Sequence, residues 1–179
     1  MMFARRMLEM EGDSQYADVM ERALYNTVLG GMALDGKHFF YVNPLEVHPK
    51  TLQFNHIYDH VKPVRQRWFG CACCPPNIAR VLTSIGHYIY TPRDDALFVN
   101  LYIGNSVEVP VGEQTLRLRV SGNYPWQDQV KIEIDSPDPV NHTLALRLPD
   151  WCTDPHVTLN GRDVAGTVKK GYLHITRTW

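Results

Sequence analysis

Apolar positions recur at helical spacing along the first third of the chain. Met1 to Glu11 is rich in Met, Leu, Arg and Glu, which favour helix, and Gly12 supplies a stop. Asp13 or Ser14 then caps a second helix, in which Tyr16, Met20, Ala23, Leu24 and Val28 form one apolar stripe that ends at Gly30-Gly31. So short a connection favours an antiparallel pair, the unit of bundles and of toroids built from helical hairpins. Pro75-Pro76 opens a third helix, because proline is tolerated in a first turn whose N–H groups are unpaired in any case. Its buried stripe is Ile78, Val81, Leu82, Ile85 and Ile89.

Around Thr91-Pro92-Arg93-Asp94-Asp95 the period changes from helical to alternating. Ala96 to Ile103, Thr115 to Val120, Val130 to Ile134, Thr143 to Leu148, His156 to Asn160 and Tyr172 to Thr176 read as short strands. Gly104-Asn105, Gly122-Asn123, Pro137-Asp138-Pro139 and Asn160-Gly161 separate them at the spacing of an antiparallel β-sandwich, and Asn160-Gly161 is a strong two-residue hairpin signal. The fold class expected is therefore mixed, with a helical part over residues 1–90 and an all-β antiparallel sandwich over residues 91–179.

Between Met32 and Gly70 the periodicity disappears, and aromatic and histidine residues crowd together: His38, Phe39, Phe40, Tyr41, His48, Phe54, His56, Tyr58, His60, Trp68 and Phe69. Irregular stretches of this length are commonly functional, and aromatic rings pack on the C–H faces of sugars while their polar tips reach hydroxyls. Tyr41 and His38 are the residues expected to contact substrate.

Composition narrows the classes. At 179 residues, 44% hydrophobic and 21% charged, the chain is that of a folded protein, and a net charge of −1 gives no footprint for nucleic acid or an anionic membrane. No apolar run approaches the ~20 residues of a membrane span. Met1-Met2-Phe3-Ala4-Arg5-Arg6 puts basic residues after apolar ones, which is not the order of a secretory signal, so a cytoplasmic location is expected.

Three of the four cysteines stand together in Cys71-Ala72-Cys73-Cys74, directly before the proline-opened helix. Neighbouring cysteines reach disulfide geometry only with strain, so metal ligation or a reactive thiolate is the better reading. Unpaired N–H groups and the positive end of the helix dipole favour thiolate at this position. A closed structural zinc site needs more ligands than this run supplies, with His56, His60, His38 and His48 as candidates inside the chain. Cys152, remote from the cluster, reads as a small buried hydrophobe.

Gly70-Cys71-Ala72-Cys73-Cys74-Pro75-Pro76-Asn77-Ile78-Ala79-Arg80 resembles the cysteine motif of glycoside hydrolase family 127, the beta-L-arabinofuranosidases. Ala23-Leu24-Tyr25-Asn26, Phe40-Tyr41-Val42-Asn43-Pro44-Leu45, Asn123-Tyr124-Pro125-Trp126 and Leu146-Arg147-Leu148-Pro149-Asp150-Trp151-Cys152 resemble family segments in the same order. The resemblance implies an alpha/alpha toroid ending near residue 90, followed by a β-sandwich. It implies zinc held by a glutamate and three cysteines, two of them Cys73 and Cys74, with Cys73 as nucleophile of a retaining mechanism on an arabinofuranoside. It also implies that the other ligands and the acid/base glutamate lie N-terminal to Met1. The chain is thus expected to be a part of the enzyme, cut at both ends and inactive as it stands. The alternative is a non-catalytic zinc-binding or carbohydrate-binding module.

Overall fold

The structure, a computed structural model, describes residues 1–43, 46, 48, 50, 60–71, 73–93, 95–164 and 166–179. Backbone contacts divide it into two compact units, Met20–Ile85 together with Met1, and Met2–Val19 together with Gly86–Trp179. The larger unit thus adds an N-terminal helical segment to the strand-rich half.

In that unit, α1 (Met2–Glu11) ends at Gly12, whose φ of +63° lets its N–H return to the Leu8 carbonyl at 2.8 Å. A Cβ at Gly12 would stand 2.3 Å from Nη1 of Arg93, so glycine is required by space as well as by φ. Asp13 then caps α2 (Ser14–Arg22): its carboxylate accepts the Gln15 N–H at 3.0 Å, as the sequence suggested. A short helix α4 (Gly86–Ile89) leads into the strands, and the Arg5 guanidinium lies 5.6 Å over the ring of its Tyr88.

The strands are β1 (Tyr90–Arg93), β2 (Ala96–Val99), β3 (Asn105–Val111), β4 (Gln114–Ser121), β5 (Lys131–Asp135), β6 (Asn141–Arg147), β7 (Thr158–Leu159), β8 (Arg162–Asp163), β9 (Thr167–Lys169) and β10 (Tyr172–Thr178). One sheet runs β1-β2-β6-β10-β9, a second runs β3-β4-β5, and β7-β8 form a separate ribbon. Alternation sets which faces meet. On β4, Leu116, Leu118 and Val120 are buried while Arg117 and Arg119 are exposed. Leu116 and Leu118 pack with Leu97 and Leu144 of the larger sheet, flanked by Val107, Val109, Ile132 and Ile134. Two sheets facing across a shared apolar layer make the sandwich.

The expectation of a wholly antiparallel sandwich is corrected at one pair. β2 and β6 run parallel, with Leu97 opposite Leu144 and Val99 opposite Leu146. The chain leaves β2, builds the second sheet, and returns in the same direction, a crossover that parallel pairing requires. Both strands are buried on both faces, so β2 reads Ala-Leu-Phe-Val without alternation. Two further differences concern boundaries. The strand expected to reach Ile103 ends at Val99, where Asn100 turns inward and donates to the Thr91 hydroxyl at 2.9 Å. β3 occupies a stretch that the sequence reading left without a strand, with Pro110 accommodated because β3 is an edge. The Asn160-Gly161 turn is as expected: φ values of 51° and 76° at the two residues join β7 to β8.

In the smaller unit the stripe expected to continue as α-helix to Val28 instead enters a π-helical segment, Ala23–Val28. The third helix, α3 (Pro76–Thr83), opens on proline as expected. It stops before Ile85 because Thr83 and Ser84 hydroxyls take the Ala79 and Arg80 carbonyls at 2.8 and 2.7 Å, and Ser84 leaves helical dihedrals. Among the described residues no helix is long and apolar enough to cross a membrane.

Candidate active site

The cysteine cluster and Tyr41 belong to the smaller unit, and the irregular segment before the cysteines is what brings them together. Phe39 is the hinge of that segment. It bridges to Met32 on one side and to Gln66 on the other, exchanging backbone hydrogen bonds of 2.9 Å each way with Gln66. The Phe40 N–H donates to the Gly31 carbonyl at 2.9 Å. Arg65 adds a second tie: its Nε donates to the Gly30 carbonyl at 3.1 Å, and its guanidinium lies 4.7 Å over the Phe40 ring. Asn43 adds a third, donating from Nδ2 to the carbonyl of Thr27 in the π-helical segment at 3.0 Å.

Tyr41 is fixed between these ties. Its ring stacks on His60 with centroids 4.1 Å apart and planes 19° from parallel, and meets the edge of Phe69 at 5.4 Å. The hydroxyl then stands 2.6 Å from Cys73 Sγ and 3.7 Å from Cys71 Sγ. Cys73 Sγ is in turn 3.5 Å from both Cys71 Sγ and Cys74 Sγ, and all three thiols are exposed. The sulfur contacts, Cys73 first and then Cys74 and Cys71, push the Tyr41 phenol well above its ordinary range. Tyr41 therefore keeps its proton, and its hydroxyl and the Cys73 sulfur share a hydrogen bond in which either can donate.

Local geometry after the cluster follows from the prolines. Pro75 already has helical dihedrals, and the Cys74 carbonyl accepts both the backbone N–H and the side-chain amide of Asn77, at 3.0 and 3.1 Å. The three sulfurs thus sit immediately ahead of the first turn of α3, as its proline opening predicts.

Two thiolates on one tetrahedral zinc, with bonds of ~2.3 Å, stand about 3.8 Å apart. The 3.5 Å between Cys73 and Cys74 matches that edge, so the pair fits two corners of such a site. Among the described residues no group of three or more His, Cys, Asp or Glu side chains is arranged to hold a metal.

The other residues singled out in the sequence fall as follows. His38 Nδ1 lies 2.5 Å from a carboxylate oxygen of Asp35, inside a turn closed by the Ala33 N–H on the His38 carbonyl, and none of its described contacts is to a cysteine. The Lys37 N–H and then the His38 ring hold the Asp35 carboxyl below its usual range. His48 lies 3.1 Å from Glu46, and His56 is outside the described residues. His60 is placed against Tyr41 by its ring. Cys152 is half-buried, its N–H on the Pro149 carbonyl, where the sequence suggested full burial. Sequence reasoning missed Arg65 and Asn43 as supports of the site: each acts through a backbone carbonyl remote in sequence, and no local pattern marks such a bond. A shallow groove along the three-stranded sheet carries ion pairs, Arg117 with Glu108 at 3.0 Å and with Asp135 at 3.5 Å. Such exposed pairs read as a solvated surface.

The family model described as the beta-L-arabinofuranosidase GH127 catalytic domain matches residues 1–87, and that of the GH127 middle domain matches residues 96–179. A non-reducing end beta-L-arabinofuranosidase of Bifidobacterium longum subsp. longum is 38% identical over 180 aligned residues, covering 97% of this chain and 27% of that protein. The crystal structure of a GH127 beta-L-arabinofuranosidase from Geobacillus stearothermophilus T6 superposes with a TM-score of 0.87 at 52% identity, over 98% of this chain and 28% of that one. A GH127 beta-arabinofuranosidase structure gives a TM-score of 0.82 at 33% identity, over 98% and 28%. The chain thus spans a little over a quarter of the length of these relatives.

Proposed function

The chain belongs to glycoside hydrolase family 127, and from that membership we propose that it carries the nucleophile of a retaining beta-L-arabinofuranosidase, with Cys73 as the attacking group. The observation that carries the reading is the Tyr41 hydroxyl 2.6 Å from Cys73 Sγ. A fixed hydroxyl on an exposed sulfur is what a nucleophile needs to stay aimed.

In this reading the helical part is the last portion of an alpha/alpha toroid, and substrate reaches the exposed face of the cluster. Cys73 Sγ attacks the anomeric carbon of a non-reducing-end arabinofuranosyl unit, and the glycosidic C–O bond breaks as the C–S bond forms. Water then attacks the same carbon, the C–S bond breaks, and the sugar leaves with its original anomeric configuration. Tyr41 holds the sulfur by donating to it and presents one ring edge to the sugar. His38 is proposed as a second sugar contact, on the aromatic segment it shares with Tyr41. The leaving oxygen takes its proton from a carboxylic acid outside these 179 residues.

Cys73 and Cys74 would hold zinc together with ligands from outside the chain. Bound there, the metal supplies positive charge that keeps the thiolate ionised near neutral pH. The site is read as cytoplasmic, in keeping with its use of free thiols.

The test uses an activated beta-L-arabinofuranoside and three proteins: the 179-residue chain, a version extended upstream to the length of the relatives, and that version with Cys73→Ser. The extended protein should hydrolyse the substrate with retention, and Cys73→Ser should lower kcat by about a thousandfold or more. Full activity in the Cys73→Ser protein would remove Cys73 from the mechanism.

A further inference from the structure

The family resemblance leaves one member of the cluster without a role. Cys71 is not among the cysteines it assigns to zinc, yet its Sγ lies 3.5 Å from that of Cys73. Both thiols are exposed, and Tyr41 reaches both, at 3.7 Å for Cys71 and 2.6 Å for Cys73. We propose that Cys71 and Cys73 are a redox pair, in which Cys71 captures Cys73 after oxidation by a hydroperoxide and stores the nucleophile as a reversible Cys71–Cys73 disulfide.

The steps balance as follows. The Cys73 thiolate attacks the distal oxygen of hydrogen peroxide and the O–O bond breaks, giving sulfenic acid on Cys73 and, after protonation, one water. The Cys71 thiol then attacks the Cys73 sulfur, the S–O bond breaks, a second water leaves, and the S–S bond forms. Peroxide is reduced by two electrons and the two thiols are oxidised by the same two. An exogenous dithiol reduces the Cys71–Cys73 bond by exchange, returning both thiols as the dithiol closes to its own disulfide.

Geometry selects Cys71 over Cys74, although both sulfurs are 3.5 Å from Cys73. Cys73 and Cys74 are adjacent, and a bond between neighbours closes a small ring whose Cβ geometry is met only with strain. Cys74 is also tied to the start of α3, its carbonyl holding both N–H donors of Asn77. One residue separates Cys71 from Cys73 in the chain, so a bond between them closes a larger and less strained ring. An exposed cysteine with a hydrogen-bond donor on its sulfur and a second thiol in reach is the arrangement found in thiols that oxidise reversibly rather than to sulfinic acid.

The inference rests on sulfur positions and not on Cys73 being the catalytic nucleophile, so it is read by mass and not by hydrolysis. The reduced 179-residue chain, freed of metal by chelator, is treated with hydrogen peroxide, alkylated, and digested. The peptide from Trp68 to Arg80 should lose about 2 Da and carry a single alkyl group, on Cys74, and dithiothreitol should restore three alkylation sites. With Cys71→Ser the same treatment should give Cys73 sulfenic acid trapped by a 1,3-dione, and irreversible sulfinic and sulfonic forms should rise about tenfold over the parent. Cys74→Ser should leave disulfide formation intact. A Cys73–Cys74 bond with Cys71 free, or equal over-oxidation with and without Cys71, would overturn the proposal.

Discussion

Tyr41 shows how much of this site depends on one oxygen atom. Its ring is held by His60 and Phe69, so Tyr41→Phe keeps the packing and removes only the hydroxyl that faces Cys73. A hydrogen bond of this kind contributes ~1 kcal/mol, about a fivefold factor, to holding the sulfur in one orientation for attack. Tyr41→Phe should therefore slow alkylation of Cys73 by iodoacetamide about fivefold at neutral pH. His60→Ala, which leaves the hydroxyl but loosens the ring, should slow it less. Quantitative labelling of Cys73 by peptide mass spectrometry reads both. An unchanged rate in Tyr41→Phe would mean that the contact does not act on the sulfur. The cysteine run itself was legible because its spacing is local, and Tyr41 was legible as one aromatic in a segment rich in them. Arg65 and Asn43 were not, because what they do is set by carbonyls of Gly30 and Thr27 that only the folded chain brings near.

At the scale of elements, the sequence announced what has a period or a punctuation mark. Gly12, Asp13, Pro75-Pro76 and Asn160-Gly161 ended, capped, opened and turned their elements as their chemistry requires. The parallel pairing of β2 with β6 left no such mark, since a strand buried on both faces shows no alternation and its partner lies more than forty residues away. The π-helical turn was equally hidden, because Leu24 continues the apolar stripe that an α-helix would show. The last turn of β6 carries the most demanding contact. Arg147 is fully buried, donates to Asp18 at 2.5 Å and to the Asn100 carbonyl at 2.6 Å, and Tyr172 donates to the Asn100 side chain at 2.9 Å. Burial pushes the Asp18 carboxyl up and Arg147 opposes the shift. Arg147→Ala would leave Asp18 buried without its cation and should cost about 3–5 kcal/mol, whereas Asp18→Leu with Arg147→Met should recover most of it. Urea titrations of the three proteins decide this, and a double variant as unstable as the single one would show that packing, not charge, is at stake.

The same two strands set a pH dependence. Burial lowers the pKa of His142 on β6 and of His174 on β10, and the Nε2 of His142 is buried without a hydrogen-bond partner among the described residues. Asp95 partly opposes the shift at His142, and Lys169 adds to that at His174. Both rings fold neutral, so the unfolded chain binds more protons as pH falls below the ordinary histidine value of about 6.5. The stability they contribute is therefore present above that pH and is lost as pH falls toward their lowered folded values. The urea midpoint should drop between pH 7 and 5, and His142→Gln with His174→Gln should flatten that part of the profile. A parent midpoint that rises on acidification would contradict the assignment.

Among the described residues the buried apolar side chains are unevenly distributed, and that bears on how the site behaves. In the unit Met20–Ile85 the described ones are Met20, Leu24, Phe69 and Val81, while the other described buried apolar residues lie in the sandwich-bearing unit. The cysteine cluster and Tyr41 are in the first of these, held by single hydrogen bonds and ring contacts to irregular backbone. A site of that kind opens locally at little cost, because opening it exposes little apolar surface, whereas opening β2, β6 or β10 exposes the shared core. Hydrogen exchange followed by mass spectrometry should therefore find the amides of residues 30–43 and 60–71 exchanging at least about a hundredfold faster than those of β2, β6 and β10. Denaturant should raise exchange in the first set before the second. In the protein extended upstream, a ligand that binds Cys73 and Cys74 stabilises only states in which they are together, so zinc added to that protein should slow exchange in 30–43 and 60–71 and leave the strands unchanged. Uniform exchange across both sets, or protection by zinc confined to the strands, would show that the cluster is supported by something other than the contacts described around Tyr41.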